Sequence, residues 1–509
     1  MHPALFLSEV LREIFPHLYQ IPGVNSGLSP EMRMSEALFV LRKSLAALAR
    51  TCKTFHEPAM ELLWGDLDGI TPLLGCVPTL YPIIGGKHWK DFSCLPVGIK
   101  PLSKHETLHF MRHAARVRVL RMTANHLYFL RVLEASETSL FPQLWSLSLS
   151  EMPDARHAQF LLSPALRRLS IKTLSSDIPS IVARCAALED LIIKRPYHNT
   201  AYELSLPSDI VRSCKRLVNL SCNTPLNWAA WKHLSDTPTL RTVDIGGGVL
   251  SSFDYRLTFA PFIELTSLSL SSDTTTDITA LLQHSEFPSL QSFNMRVRGC
   301  TRAEAEQFFR ALSQCKASRT LKHIEIDCHE QSQPDEQLGM SLTVIRQFLC
   351  FTQLKNLRIH VHHPIYLDDD LLVEAMSSWP HICSLILMGR LRQPTVTFRG
   401  LFAALHFCPH LHTLQVMIDT SMSIDIGPAA ESFQHTSLRK LRVGASSVAA
   451  TEVEAVARII FSVLPCADLV TEWGGGSRGS LWHEVNRRIQ ALRSSLALGR
   501  VTGAVAPMA

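Results

Sequence analysis

The sequence predicts an α/β solenoid, with short parallel strands side by side on a concave face and helices outside. Two observations carry that prediction. The first is a recurring strand signature: TLRTVDI begins at Thr239, ELTSLSL at Glu264 and SLQSFNM at Ser289, 25 residues apart both times. In each, one apolar residue is followed by others three and five positions later: Leu240, Val243, Ile245; Leu265, Leu268, Leu270; Leu290, Phe293, Met295. The last two of each trio are two apart, so a strand points them to one face. The second observation is the helix-like material between strands, such as TDITALLQHSEF, AEAEQFFRALSQC, LTVIRQFLCF, DDDLLVEAMSSW and GLFAALHFC. Strand, helix, strand in repeated order predicts parallel neighbours, because a parallel pair needs a crossover.

A strand and a helix recurring every ~20–29 residues, with no unit able to bury its apolar face alone, resembles the leucine-rich-repeat family. The first apolar anchors of the repeats are Val117, Leu144, Leu166, Leu188, Leu217, Leu240, Leu265, Leu290, Leu321, Leu354, Ile382, Leu411 and Leu438, with a degenerate unit near Ala467. Seven units carry Pro two residues before the anchor (Pro142, Pro164, Pro238, Pro288, Pro380, Pro409 and Pro465), where it ends the preceding helix and feeds the strand. The solenoid is expected over residues 104–473. Beyond a glycine-rich breaker, SLWHEVNRRIQALRSSLAL reads as a capping helix and the rest of 474–509 as a disordered tail. Residues 69–103 hold Pro72, Pro78, Pro82, Pro96 and Pro101 and read as a linker packed on the first repeats.

Residues 1–68 form a separate all-α unit. ALFLSEVLREIFPHL spaces Leu7, Val10, Leu11, Ile14, Phe15 and Leu18 as one helix face, with Ser8 at the N-cap. A polar, Gly- and Pro-bearing loop insert is expected over 19–43. SLAALARTCKTF follows as a second helix and HEPAMELLW as a third, with Pro58 near its first turn. Leu7-Ser8-Glu9-Val10-Leu11, Ile14-Phe15, Leu18, then Leu45 to Lys53, Phe55 and Trp64 resemble an F-box, whose consensus runs Leu-Pro-x-Glu-(Ile/Leu)-Leu, a hydrophobic pair, Leu-x-x-(Leu/Ala)-x-x-Cys-(Lys/Arg) and a final Trp. Ser8 stands where the family has Pro, and the insert is longer than in a compact F-box. With the repeats, the arrangement resembles F-box/leucine-rich-repeat proteins of the kind abundant in basidiomycete fungi.

That resemblance implies the substrate receptor of a cullin–RING ubiquitin ligase of the SCF type. The F-box would bind a Skp-type adaptor, and through it a cullin, using Leu7, Ser8, Val10, Leu11, Ile14, Phe15 and Leu48; the repeats would hold a protein target. Three alternatives stay open: that these helices only cap the repeats, that the protein is a non-ligase leucine-rich-repeat scaffold for protein–protein interaction, and that it is an RNase-inhibitor-like or nucleic-acid-binding solenoid, which would require a strong charge bias along the concave face.

Composition fits a long solenoid. The chain has 509 residues, is 46% hydrophobic and 19% charged, and carries a net charge of +5, too small over this length to argue for nucleic acid or membrane. Acidic Glu9 and Glu13 near the start do not suit a secretory signal, and no apolar run approaches the ~18 residues of a membrane span. Thirteen scattered cysteines with no CxxC pair read as reduced thiols of a cytoplasmic or nuclear protein.

Candidate chemistry is sparse, and neither an enzyme, a cofactor nor a metal site is expected. His406, Cys408, His410 and His412 have ligand-like side chains but straddle a helix-to-strand return, and His360, His362 and His363 read as a strand edge and turn. Gly246-Gly247-Gly248 lacks the Gly-Lys-Ser/Thr ending of a phosphate loop and reads as a turn. Asp368-Asp369-Asp370 reads as the solvated start of a helix.

What remains is surface. Residues two, four and six after each anchor are expected on the concave face, where twelve charged positions divide eight basic to four acidic. Arg296, Glu325, Asp327, Arg358 and His360 fall on neighbouring strands there. The longest insertions, including HEQSQPDEQLG after Cys328, flank the same repeats, and insertions map to loops along one side of a solenoid. Target binding is therefore expected at residues 290–363.

Overall fold

All fourteen anchors, Val117 to Ala467, are buried in the computed structural model. It describes residues 30–81, 102–123, 140–150, 161–174, 177–194, 205–247, 259–328, 342–389, 395–420, 433–443, 446, 448–467, 469–471 and 481–502. The chain divides into two compact units, Met1–Thr224 and Pro225–Ala509. Each is a run of leucine-rich repeats, with a strand opening two residues after every anchor.

In the first unit these strands are β2 (Val119–Met122), β3 (Ser146–Leu149), β4 (Arg168–Ile171), β5 (Asp190–Ile193) and β6 (Asn219–Cys222), all parallel. Register follows the anchors, so Leu147 pairs Leu169 and Leu169 pairs Leu191. These side chains, like their neighbours two residues on, are buried. Repeats that put apolar groups in the same phase can bury all of them only in this register, since a slip of one residue would turn each to the other face.

The N-terminal part of this unit departs from expectation in three places. The stretch read as a loop insert over 19–43 is helical from Pro30: α1 spans Pro30–Ala49. Its sequence is rich in Glu, Met, Ala, Leu and Arg, all good helix formers, and Pro30 stands first, where a missing N–H costs nothing. Helix α2 spans Lys53–Gly65, so Pro58 lies in its interior rather than its first turn. Helix α1 packs on α2 through Leu41, Leu45, Ala49 and Ala59. Finally, α2 runs directly into an unforeseen strand, β1 (Asp66–Leu67), which pairs β2 with Leu67 opposite Leu120. Arg121 fastens it, bridging Asp66 at 2.6 Å and Asp68 at 2.8 Å.

The segment that follows, read as linker, contributes to the core as far as it is described. Ile70, Val77, Leu80 and both leucines of α3 (Thr71–Leu74) are buried. Helix α4 (Lys104–Ala114) starts at a reciprocal cap: the Glu106 N–H donates to the Ser103 hydroxyl and the Ser103 N–H to the Glu106 carboxylate. Helices α5 (Ile178–Val182) and α6 (Leu206–Ser213) cover later repeats.

The second unit carries β7 (Thr242–Ile245), β8 (Ser267–Ser272), β9 (Ser292–Val297), β10 (His323–Cys328), β11 (Asn356–His360) and β12 (Ser384–Met388). The small pair β13 (Val396–Thr397) and β15 (Ile418–Asp419) lies apart from the main sheet, which continues with β14 (Thr413–Gln415), β16 (Lys440–Arg442) and β17 (Leu469–Thr471). Its helices are α7 (Trp228–Ser235), α8 (Thr276–His284), α9 (Arg302–Gln314), α10 (Val344–Phe348), α11 (Asp369–Ser378), α12 (Phe398–Leu405), α13 (Val453–Val463) and α14 (Leu481–Thr502). Helix α14 packs on α13 and buries Trp482, Val485 and Ile489, the amphipathic face its sequence shows.

Of the acidic triplet, Asp368 caps α11 as its position suggests, accepting from Leu371 N–H at 2.8 Å. Asp369 departs from the solvated reading. Its carboxylate turns into the next repeat, accepting from Thr397 N–H at 2.7 Å and from the Thr397 hydroxyl at 2.6 Å. Gly400 makes room for it: a Cβ there would lie 2.0 Å from Asp369 Oδ1. Gly400→Ala should therefore destabilise the fold by about 1–3 kcal/mol, read as a drop in the urea midpoint. Gly247, at φ 83°, turns the chain after β7.

The cysteines at the repeat ends have a structural use. Cys185, Cys214 and Cys408, each three residues before an anchor, are buried and unbridged. The Cys214 thiol donates to Ile210 O at 3.3 Å and the Cys408 thiol to Met376 O at 3.3 Å, filling carbonyls in or near the last turn of a helix. Burial pushes the Cys185 thiol up to about 11 and those of Cys214 and Cys408 to about 12, which keeps them protonated and unreactive.

Candidate protein-binding surface

Strands β9, β10 and β11 bring the five predicted contact residues together. Cross-strand register puts Arg296 beside Asp327 and Asp327 beside His360, while the adjacent row runs Asn294, Glu325, Arg358. These side chains alternate with buried Phe293, Met295, Ile324, Ile326, Leu357 and Ile359, so they stand on the face of the sheet away from the core.

The floor beneath is packed with aromatic rings. An aromatic series links the buried face of β9 to α9, α10 and the residues after it: Phe293 lies 6.1 Å from Phe308, Phe308 5.5 Å from Phe309, Phe309 5.7 Å from Phe348 and Phe348 5.1 Å from Phe351. Such packed rings hold the strands above them in one register. Trp379 is fully buried and donates its indole N–H to Phe348 O at 3.1 Å.

Charge on this face is partly cancelled between strands. Glu325 Oε1 lies 3.5 Å from Arg358 Nε, and Glu325 Oε2 accepts from the Asn294 amide at 3.3 Å. Asp327 Oδ1 lies 2.9 Å from His360 Nδ1. Arg296 is exposed, and its guanidinium makes no hydrogen bond or ion pair with any described residue. Both carboxylates are thus partnered from β11, and the guanidinium of Arg296 is left for solvent or a ligand. One row further, the Asn356 amide NH2, which can only donate, meets His323 Nδ1 at 2.9 Å, so that ring nitrogen accepts; burial, with Lys355 and Lys322 nearby, pulls the imidazole below its ordinary range.

Asn294, His323 and Asn356 were absent from the sequence-based site, which was drawn from charge alone. Their positions two or four after an anchor were the available signal. At the rim, His363 is buried and its Nε2 donates to Cys300 O at 3.1 Å, which fixes the turn beyond β11 against the end of β9. The Cys328 thiol hydrogen-bonds to Cys300; that contact lowers the Cys300 thiol and raises the other.

The other histidine cluster is parted by the fold. His406 stacks on Phe433 with centroids 3.7 Å apart, while Cys408 points inward. A buried histidine that sequence reasoning passed over, His435, joins two repeats: it accepts from Leu438 N–H through Nδ1 at 3.2 Å and donates from Nε2 to Cys408 O at 2.8 Å. No group of metal-ligating residues is found among the described residues. Nor is any described helix long and apolar enough to cross a membrane.

Of the predicted adaptor contacts, Leu7, Ser8, Val10, Leu11, Ile14 and Phe15 lie outside the described residues. Leu48 is half-buried against the α1–α2 cluster. Trp64, the last residue of the F-box-like pattern, is buried, its ring 4.6 Å from that of His113 on α4. Arg116 reaches back to Glu57 of α2 at 2.7 Å.

No family model matches the chain, and no curated protein does. Among solved structures it is similar to an internalin (InlF) of Listeria monocytogenes at 14% identity and TM-score 0.36, covering 65% of this chain and 88% of that one. It is similar to TLR13, solved as a TLR13–ssRNA13 complex, at 14% identity and TM-score 0.38, covering 69% of this chain and 50% of that one. It is also similar to a chain of the yeast Rad7–Elc1 complex at 11% identity and TM-score 0.33, covering 89% and 97%.

Proposed function

We propose that this protein is the substrate-recognition subunit of an SCF-type cullin–RING ubiquitin ligase. Its N-terminal helices would hold a Skp-type adaptor, and the sheet face at β9–β11 would hold the target. The observation that carries the reading is covalent continuity. Helix α2, which holds the Phe55 and Trp64 of the F-box-like pattern, passes at Gly65 straight into β1, the first strand of the repeats. The Arg116–Glu57 pair and the Trp64–His113 contact fasten that helix to the repeat that follows. A partner held on the helices is then held at a fixed distance from the first repeats, which is what raising a target's effective concentration near a ubiquitin-carrying enzyme requires. In this reading the chain catalyses nothing and works in the cytoplasm, the nucleus or both.

At the target site, Arg296 supports an acidic protein segment as ligand. Its cation stands free beside carboxylates that Arg358 and His360 already partner. Reversing Arg296 and Arg358 together to Glu should lower the captured target by about tenfold or more. Adaptor co-purification should stay unchanged. Affinity capture from cells with ligase turnover blocked, quantified by mass spectrometry, reads both arms. Targets retained by the double variant would remove β9–β11 as the binding face; an adaptor absent from the wild-type capture would remove the ligase reading and leave a scaffold.

A further inference from the structure

Within the second unit, two cysteines meet at the C-terminal ends of β9 and β10. Cys328 is the last residue of β10 and pairs in register with Val297, the last of β9. Cys300 follows Val297 three residues on, just before the Thr301 cap of α9. The two thiols are in hydrogen-bond contact. Sulfurs so placed reach bonding distance by side-chain rotation, whereas cysteines held far apart need the backbone to move.

The two members of the pair are unlike. Cys328 is 2% exposed, whereas Cys300 is half-buried and open to a small reagent. The Cys328 thiol donates to Cys300 and so holds the Cys300 thiol below its ordinary range, against burial and the nearby Glu304 carboxylate. The same contact, with burial, raises Cys328. Every other shifted thiol among the described residues, at Cys76, Cys185, Cys214, Cys315, Cys350 and Cys408, is pushed up by burial. Cys300 therefore combines access with thiolate character and has a second thiol beside it, which is what an oxidation-sensitive cysteine with a resolving partner requires.

We infer that Cys300 and Cys328 form a reversible disulfide when the protein meets a hydroperoxide such as hydrogen peroxide. The Cys300 thiolate attacks one peroxide oxygen and the O–O bond breaks. The departing hydroxide takes a proton and leaves as water, and Cys300 becomes a sulfenic acid. The Cys328 sulfur then displaces that hydroxyl, which leaves as water with the Cys328 proton as the S–S bond forms. Together the two thiols lose two electrons and the peroxide gains them. Two equivalents of an external thiol reverse the step by exchange. The bond ties the ends of β9 and β10 together, next to Asp327 and to the turn that His363 fastens to the Cys300 carbonyl. That is the edge of the proposed target face, yet the chemistry stands whether or not that reading does.

Trypsin makes the test direct. Cleavage after Arg298, Arg302, Lys322 and Arg346 leaves Cys300 in residues 299–302 and Cys328 in residues 323–346, each the single cysteine of its peptide. The reduced full-length protein is exposed to hydrogen peroxide, its remaining thiols are blocked with N-ethylmaleimide in denaturant, and the unreduced digest is read by mass spectrometry. The two peptides joined, with two hydrogens lost, should be the main oxidised product, and dithiothreitol should erase it. Cys300 should be oxidised at least about tenfold faster than exposed Cys350, whose thiol is pushed up. In Cys328→Ser, Cys300 should persist as the sulfenic acid, trapped by dimedone at least about tenfold above wild type. A thermal midpoint equal to that of the reduced wild type shows that this variant folds, and the wild-type measurement does not need it. The assignment is overturned by any of four results: no joined peptide at a dose that oxidises other cysteines, Cys300 joined mainly to a different cysteine, equal rates at Cys300 and Cys350, or no dimedone adduct at Cys300 in folded Cys328→Ser.

Discussion

Truncating Leu357 to Ala should destabilise the protein by about 2–5 kcal/mol. Leu357 is 1% exposed and sits in register between Ile324 and Leu385, with buried neighbours on both strands. Removing its methyl groups loses their transfer free energy and leaves a void that parallel strands on both sides cannot close. Leu268, fully buried between Val243 and Phe293, should behave alike. Neutral changes next door make the comparison sharp: Ser269→Ala and Arg358→Gln face solvent and should stay within about 0.5 kcal/mol. Equilibrium urea unfolding of the four variants measures this. Because repeat arrays can lose cooperativity, the midpoint shift is the quantity to compare. Similar losses at all four positions would contradict the alternation of buried and exposed residues along these strands.

Changing Leu11 and Phe15 together to Asp should abolish co-purification of the Skp-type adaptor, a loss of at least about 100-fold in affinity. Two large apolar anchors at the centre of an interface each contribute about 2 kcal/mol or more, and their replacement by carboxylates adds the cost of desolvating charge. The solenoid should be untouched, so circular dichroism and the urea midpoint of the repeats should match wild type. Adaptor capture equal to wild type would refute the F-box assignment. Leu48→Asp is a milder companion: its half-buried position against Leu45 and Ala49 means that some of its effect would fall on the α1–α2 packing itself.

The repeat itself was legible in the sequence because a strand between two like strands has little freedom. The spacing of Leu290, Phe293 and Met295 recurs at Leu321, Ile324 and Ile326 and at Leu354, Leu357 and Ile359, and every one of these side chains is buried. Anchors also set the register, so the adjacency of Arg296, Asp327 and His360 followed from counting. What their charges do was not legible that way. Counting places side chains in rows; it does not say that Glu325 turns to Arg358 and Asp327 to His360 while Arg296 stays free, since that depends on side-chain direction across the rows.

Tertiary structure alone decided the rest, wherever local signals were weak or shared by several outcomes. Asp66–Leu67 is too short to announce a strand and becomes one by pairing β2 and gaining Arg121. The helix from Pro30 lay hidden in a stretch whose polar residues read as a loop, although its helix formers outnumbered its breakers. Asp369 looked like any acidic residue at a helix start, until Thr397 and the missing side chain of Gly400, some thirty positions on, gave its carboxylate a place to go. The sequence by itself determined which side chains are buried, because burial repeats with the period of the strand. The fold determined which polar groups meet, because such meetings join residues that only packing brings within reach.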